Sequence, residues 1–207
     1  MSTPPAVFGP VVVLARHGET DDNAAGRFQG VRNPPLNARG REQAHALAER
    51  LAAAGDDLAA GAAVRVGHAG VTGPIAPVNE IWASPYARAQ ETAEIVAARL
   101  GLPIRFDERL KESDIGAWAG RTYAEVQQTD PVAFQGWVEG DPAHSFPEGE
   151  TLADVTARVQ RVVAEARALA PTVLCVCHGG VIRAALRASG HLVHEPGVAF
   201  NGEAVAL

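Results

Sequence analysis

The chain has 207 residues, 47% of them hydrophobic and 20% charged, with a formal net charge of −6. That is enough sequence for one domain with a substantial core, and the acidic balance excludes a general nucleic-acid binder, so any anion site has to be local. MSTPPAVFGP at the amino terminus has neither a basic region nor a long apolar core, so no signal peptide, membrane span or membrane partner is expected and the expected location is cytoplasmic.

Val11 to Ala15 is a β-branched run that reads as a buried parallel strand. It ends in Arg16-His17-Gly18-Glu19-Thr20. Ligands of open α/β sheets bind at the carboxyl ends of strands. Arg offers a planar fork of donors to an oxyanion, and a neutral imidazole is a nucleophile or base near pH 7. Together they suggest phosphate chemistry. Residues 21–35 read as a loop beside that edge, with Arg27 a candidate to reach the site and Arg32 a solvated charge. Asn37 suits an N-cap, and a helix is expected from Ala38 to Ala54 with Gly55 as its stop.

Residues 55–79 are rich in Gly and Ala with little periodicity and fall at the amino edge of the sheet. That makes His68 an exposed loop residue. A hairpin around Val64–Val66 and Gly70–Thr72, mobility and a homodimer contact are all open for this stretch. Glu80 to Ala83 is the next strand. Ser84 as N-cap and Pro85 at the first helical position open a helix running to Leu100, with Gly101 as its stop. Arg88 lies in the first turn, where the helix dipole disfavours a cation, so an anion bound there would explain it.

Pro103 to Phe106 is a strand candidate, followed by four acids, Asp107, Glu108, Glu112 and Asp114, between which residue chemistry does not choose. Helical pieces over Thr122–Gln128 and Pro131–Val138 lead into a Gly/Pro-rich loop, and residues 121–150 read as a cap. Tyr123, Phe134, Trp137, His144 and Phe146 are pocket candidates, each individually more at home in packing. Thr151 to Leu169 is an amphipathic helix.

Thr172 to Cys177 is a second buried strand, ending in His178-Gly179-Gly180 and a helix to Ala188. Its Cys175 and Cys177 read as small buried side chains in a reducing compartment, with no disulfide. His191 and His194 have no further ligand near them in sequence, so no metal is expected. A short Ala/Val strand ends the chain, and no repeat or linker divides residues 1–207. Two strand–His–Gly units can bring two imidazoles to one edge of one sheet.

LARHGET (14–20), Asn23, GRFQG (26–30), PLNARGREQA (35–44), SPYARAQETA (84–93), LKESDIGAWAG (110–120), FPEGET (146–151) and CHGGVIRA (177–184) together resemble the histidine phosphatase superfamily, the phosphoglycerate mutase-like proteins, in the family's order and over most of the chain. The resemblance implies a three-layer α/β/α fold with a mostly parallel central sheet, and makes 55–79 an insertion. It implies His17 as a nucleophile forming a phosphohistidine. Arg16, Arg88 and His178 would hold the transferring oxygens, with Asn23, Arg27 and Gly179 as further phosphate or substrate contacts. It selects Glu112 as general acid; whether Asp114 substitutes for it stays open. The chain departs from the family at Ala119, where Glu is frequent. LKESDIGAWAG resembles the phosphatase branch, and a metal-independent phosphomonoesterase acting on a small phosphorylated metabolite is the leading expectation. A cofactor-dependent phosphoglycerate mutase and a non-catalytic phospho-ligand-binding module are the alternatives.

Overall fold

The computed structural model describes residues 10–59, 77–190 and 201–207. The expected insertion apart from its flanks, His68, the hairpin, the dimer contact, His191 and His194 lie outside these residues.

Five strands form one sheet in the order β3-β2-β4-β1-β5: β1 Val11–Arg16, β2 Glu80–Ala83, β3 Ile104–Phe106, β4 Thr172–Cys177 and β5 Ala204–Ala206. The first four in that order pair in parallel, and β5 runs antiparallel on β1. Side chains alternate across a strand, and both faces are covered. Val12, Leu14, Trp82, Val173, Cys175 and Cys177 pack under α6 (Leu152–Leu169) and α7 (Gly179–Ala188). Val13, Ala15, Ile81, Ala83, Leu174 and Val176 pack under α2 (Ala38–Ala59) and α3 (Ala87–Leu100). This is why β1 and β4 are nearly continuous apolar runs. Cys175 and Cys177 are buried free thiols on one face, and burial pushes the Cys175 thiol up to about 12.

The β1–β4 register positions the chemistry. Arg16 lies opposite Cys177, and the His17 N–H donates to the Cys177 carbonyl at 3.0 Å. His17 and His178 therefore leave adjacent strands at the same level of the carboxyl edge.

Several boundaries differ from the sequence expectation. The helix through Gly55 continues to Ala59, since one interior glycine costs only about 1 kcal/mol and Ala-rich sequence flanks it. A short helix α1 (Asp21–Ala24) occupies the expected loop, held by a capping box between Thr20 and Asn23. Ser84 does not cap α3, which starts at Ala87 after Tyr86. Its hydroxyl is used at the site instead.

Residues 121–150 carry α4 (Tyr123–Thr129), capped by Thr122 with Glu125, and α5 (Pro131–Glu139). Beside them Phe28, Ile115, Trp118, Val126 and Phe146 form a small separate core over the carboxyl edge, with Phe134 and Trp137 against it.

Candidate active site

A cavity of about 210 Å³ opens at the carboxyl edge of β1 and β4. Arg16, His17, Asn23, Arg27, Arg88, Glu112 and Gly179 all line it, so residues far apart in sequence meet in one place. His178 stands behind them, its ring centroid 5.1 Å from that of His17.

His17 is 2% exposed. Its Nδ1 lies 2.7 Å from the Gly18 carbonyl, which can only accept, so Nδ1 carries the proton and Nε2 keeps its lone pair. Arg88 Nε donates to that Nε2 at 3.2 Å. Burial, then the Arg88 and Arg16 charges, hold the His17 pKa well below its ordinary 6.5. The ring is a neutral imidazole with a defined free nitrogen.

The loop carrying it is clamped by backbone. A Cβ at Gly18 would lie 2.2 Å from the Gly40 carbonyl oxygen, and one at Gly40 2.1 Å from that of Glu19. Asn37 caps α2 at this seam by accepting the Gly40 N–H at 2.8 Å. Asn201 Nδ2 donates to the His17 carbonyl at 3.1 Å and to Asn23 Oδ1 at 3.0 Å.

Arg88 is fully buried, and burial lowers its pKa to about 10. Its Nη1 donates to the Arg32 carbonyl at 2.7 Å and its Nη2 to the Gly30 carbonyl at 3.1 Å. The Arg32 side chain itself is exposed and pairs with Asp22 at 3.2 Å. Arg27 Nη1 donates to the Gly120 carbonyl at 2.9 Å. Asn23 Oδ1 accepts from the Thr20 N–H and Asn201, and its Nδ2 is without a partner among the described residues, so Asn23 offers the cavity a donor.

His178 is fully buried, and burial, then Arg88, His17 and Arg16, hold its pKa well below 6.5. Its Nε2 is 2.8 Å from Ser84 Oγ, which also accepts the Tyr86 N–H at 3.3 Å. Its Nδ1 is buried without a hydrogen-bond partner.

The acids separate by geometry. Glu112 Oε1 accepts the Ser113 N–H at 2.9 Å and Oε2 the Gly180 N–H of α7 at 3.2 Å. Asp114 accepts the Gly116 N–H at 3.0 Å and is outside the cavity lining. Asp107 is paired to Arg109, and Glu108 to Lys111.

Tyr123, Phe134, Trp137 and Phe146 also line the cavity, so their packing and pocket roles coincide. His144 packs on Trp118 and Phe146 instead, and burial lowers its pKa. Sequence reasoning missed Ser84 as a partner of His178, Asn201, and Arg183, which lines the cavity while 7% exposed. The pattern of α7 puts Arg183 with Arg187 on its polar side, so neither the burial of Arg183 nor its place in the cavity was open to inference from the sequence.

Four guanidinium groups (Arg16, Arg27, Arg88, Arg183) and one carboxylate (Glu112) thus surround a neutral histidine in a protein of net charge −6. This is a local anion site beside a nucleophile. Among the described residues, no three His, Cys, Asp or Glu side chains gather as metal ligands, and no helix is long and apolar enough to cross a membrane.

Comparisons with known proteins agree with this geometry. The model of the histidine phosphatase superfamily (branch 1) matches residues 12–65 and 61–197. Glucosyl-3-phosphoglycerate phosphatase of Mycobacterium tuberculosis is 35% identical over 183 residues, covering 84% of this chain and 72% of that protein. Phosphoserine phosphatase 1 of Hydrogenobacter thermophilus is 32% identical over 156 residues, 75% of this chain and 64% of that protein. Among solved structures, the mycobacterial glucosyl-3-phosphoglycerate phosphatase in complex with VO3 superposes with a TM-score of 0.77 at 31% identity, covering 96% of this chain and 92% of that one. The chain belongs to the histidine phosphatase superfamily, in its phosphatase branch.

Proposed function

We propose that this protein is a metal-independent phosphomonoesterase that passes the phosphoryl group of a small phosphorylated metabolite to Nε2 of His17 and then to water. The observation that carries the proposal is the His17 ring. Its proton is held on Nδ1 by the Gly18 carbonyl, and its unprotonated Nε2 lies beside Arg88 in a cavity walled by guanidinium groups.

Phosphoryl transfer requires an in-line nucleophile, positive charge around the equatorial oxygens and a proton for the leaving oxygen. His17 Nε2 attacks phosphorus as the ester P–O bond breaks. Arg88 then exchanges its bond to Nε2 for one to a phosphoryl oxygen. Its two carbonyl anchors keep the guanidinium in place, so developing charge meets donors already oriented. Arg16, Arg27 and Asn23 add donors around the same oxygens, and His178 Nδ1 is a buried group that such an oxygen would satisfy. Glu112 gives its proton to the departing alkoxide, and as a carboxylate takes one from the water that breaks the P–N bond. Acid–base help of this kind contributes about 100- to 10,000-fold. Residues 121–150 act as the cap, closing the cavity with Tyr123, Phe134 and Trp137, and the chain works as a single domain.

Phosphate release from p-nitrophenyl phosphate with EDTA present, for wild type and His17→Ala, tests the reading. The expected result is release by wild type only, with an acid-labile, base-stable phosphoenzyme trapped in rapid quench. Equal release by both proteins overturns it. Interconversion of 2- and 3-phosphoglycerate by primed enzyme with no phosphate release moves the protein to the mutases.

A further inference from the structure

Ser84 is fully buried and stands outside the cavity lining. It follows β2 at the carboxyl edge, and its N–H donates to the Val176 carbonyl of β4 at 3.0 Å. The β2–β4 register pairs Ala83 with Val176, so Ser84 sits one residue past its strand, beside the end of β4 where His178 begins. Pro85 has no N–H to offer. The next backbone donor is Tyr86, whose N–H reaches Ser84 Oγ at 3.3 Å. The same oxygen lies 2.8 Å from His178 Nε2. Tyr86 also sets its ring against the imidazole, the centroids 5.5 Å apart.

These contacts decide where the His178 proton sits. A serine hydroxyl has one hydrogen to give and two lone pairs to accept with. One lone pair takes the Tyr86 N–H, and among the described residues His178 Nε2 is the one acceptor for the hydroxyl hydrogen. With the ring proton on Nε2, the imidazole would donate to Ser84, and two buried groups would be left bare: the hydroxyl hydrogen and the Nδ1 lone pair. With the proton on Nδ1, the hydroxyl donates to Nε2 and only the Nδ1–H is left. Each buried polar group without a partner carries a desolvation penalty, so the second arrangement wins.

We propose that Ser84 is a positioning residue that holds His178 as its Nδ1–H tautomer, so that a neutral imidazole presents an N–H donor to an oxygen of the transferring phosphoryl group. The tautomer follows from the hydrogen bonds alone; the oxygen it serves rests on the phosphatase reading of the cavity. His17 and His178 then carry their protons on the same ring atom and put opposite atoms to use. His17 gives its Nδ1–H to the Gly18 carbonyl and keeps the Nε2 lone pair for phosphorus. His178 gives its Nε2 lone pair to Ser84 and keeps the Nδ1–H for oxygen. An oxygen of a phosphate dianion only accepts, so the reverse tautomer would set one lone pair against another. The tautomer matters because the ring is neutral: burial, then the Arg88 charge, oppose a second proton.

The competing role is packing, in which Ser84 fills a small space beside the imidazole and the ring proton is indifferent to it. Two-bond proton–nitrogen NMR correlations of protein grown with nitrogen-labelled histidine separate the two, with His178 assigned by the signals lost in His178→Gln. In wild type at neutral pH, Nδ1 should show the protonated pattern and Nε2 the bare one. Ser84→Ala should move both toward the reverse, and Ser84→Thr, which keeps the hydroxyl, should hold the wild-type pattern. Inorganic phosphate should shift the wild-type Nδ1 resonance and bind about 10-fold more weakly to Ser84→Ala, the lower end of the scale for a hydrogen bond to a charged group. An Nε2–H ring in wild type, or an Nδ1–H ring that persists in Ser84→Ala, overturns the proposal. Phosphate that binds Ser84→Ala as tightly as wild type overturns it too. A wild type with the Nδ1–H pattern that binds phosphate yet releases none from p-nitrophenyl phosphate would sink the phosphatase reading and leave the role of Ser84 standing.

Discussion

Gly180 sets how closely Glu112 approaches the first turn of α7. A Cβ there would fall 2.3 Å from Glu112 Oε1, 3.2 Å from its Cδ and 3.0 Å from Ser113 Oγ. Ordinary contact begins near 3.4 Å, so in Gly180→Ala the carboxylate has to retreat by about 1 Å. The obstacle is the end of a flexible side chain, so the fold survives. A displacement of about 1 Å at a reacting group costs on the order of 100-fold. The loss should fall on the steps that move a proton. With glycerol 3-phosphate the leaving group is the glycerol alkoxide, which needs protonation, so phosphorylation of His17 slows by about that factor. p-Nitrophenolate leaves without a proton, so the same variant should still phosphorylate His17 and then stall, because water still needs a base. Stopped-flow absorbance should show a burst near one nitrophenolate per enzyme, then a steady state about 100-fold below wild type. Glu112→Gln should give the same shape with a deeper loss. A Gly180→Ala enzyme that hydrolyses glycerol 3-phosphate at the wild-type rate, or that loses the burst along with turnover, would refute Glu112 as the proton donor and base.

Three further outcomes follow from the geometry. His17 and His178 keep folded pKa values below 6.5, so below about pH 6.5 the unfolded chain binds more protons than the folded one and stability falls with pH down to the lowered folded values. Above about pH 6.5 both rings are neutral in either state and add no slope. The urea midpoint should drop between about pH 7.5 and about pH 5.5, and drop less in His17→Ala/His178→Ala; equal drops contradict the assignment. Asp114 supports a turn outside the cavity, so Asp114→Asn should keep phosphate release within about 3-fold of wild type, whereas Glu112→Gln should lose about 100-fold or more; the reverse pattern would make Asp114 the acid. Gly18→Ala drives a Cβ to 2.2 Å from a backbone oxygen that cannot step aside, and should cost roughly 1–3 kcal/mol or more in denaturant unfolding. An unchanged midpoint would mean the seam with α2 is looser than described.

The phosphate end of the site was legible because its signals are local. A β-branched run followed by Arg16-His17-Gly18, and another followed by His178-Gly179-Gly180, mark strand ends wherever they sit in the fold. Arg88 stood out because a cation in the first turn of a helix opposes the dipole. Gly55 and Ser84 misled for the opposite reason: each has a standard local role that its surroundings override. An Ala-rich helix runs through the first, and an imidazole across the sheet edge engages the hydroxyl of the second.

By itself the sequence determined the two buried strands that end in His17 and His178 and the anionic character of the ligand, since each follows from residue type and period within a short stretch, while the layered fold was implied by several family motifs in their order. Only the tertiary structure decided how Glu112, selected by the family resemblance, is held at the site, that Arg183 enters the cavity, and which aromatic side chains enclose it. These depend on distance between segments remote in the chain. Glu112 is set by the Gly180 N–H, Arg27 by the Gly120 carbonyl and Arg183 by the ring and carbonyls at the end of α5. The β1–β4 register brings His17 and His178 to one edge, and no residue pattern within a single segment encodes that register.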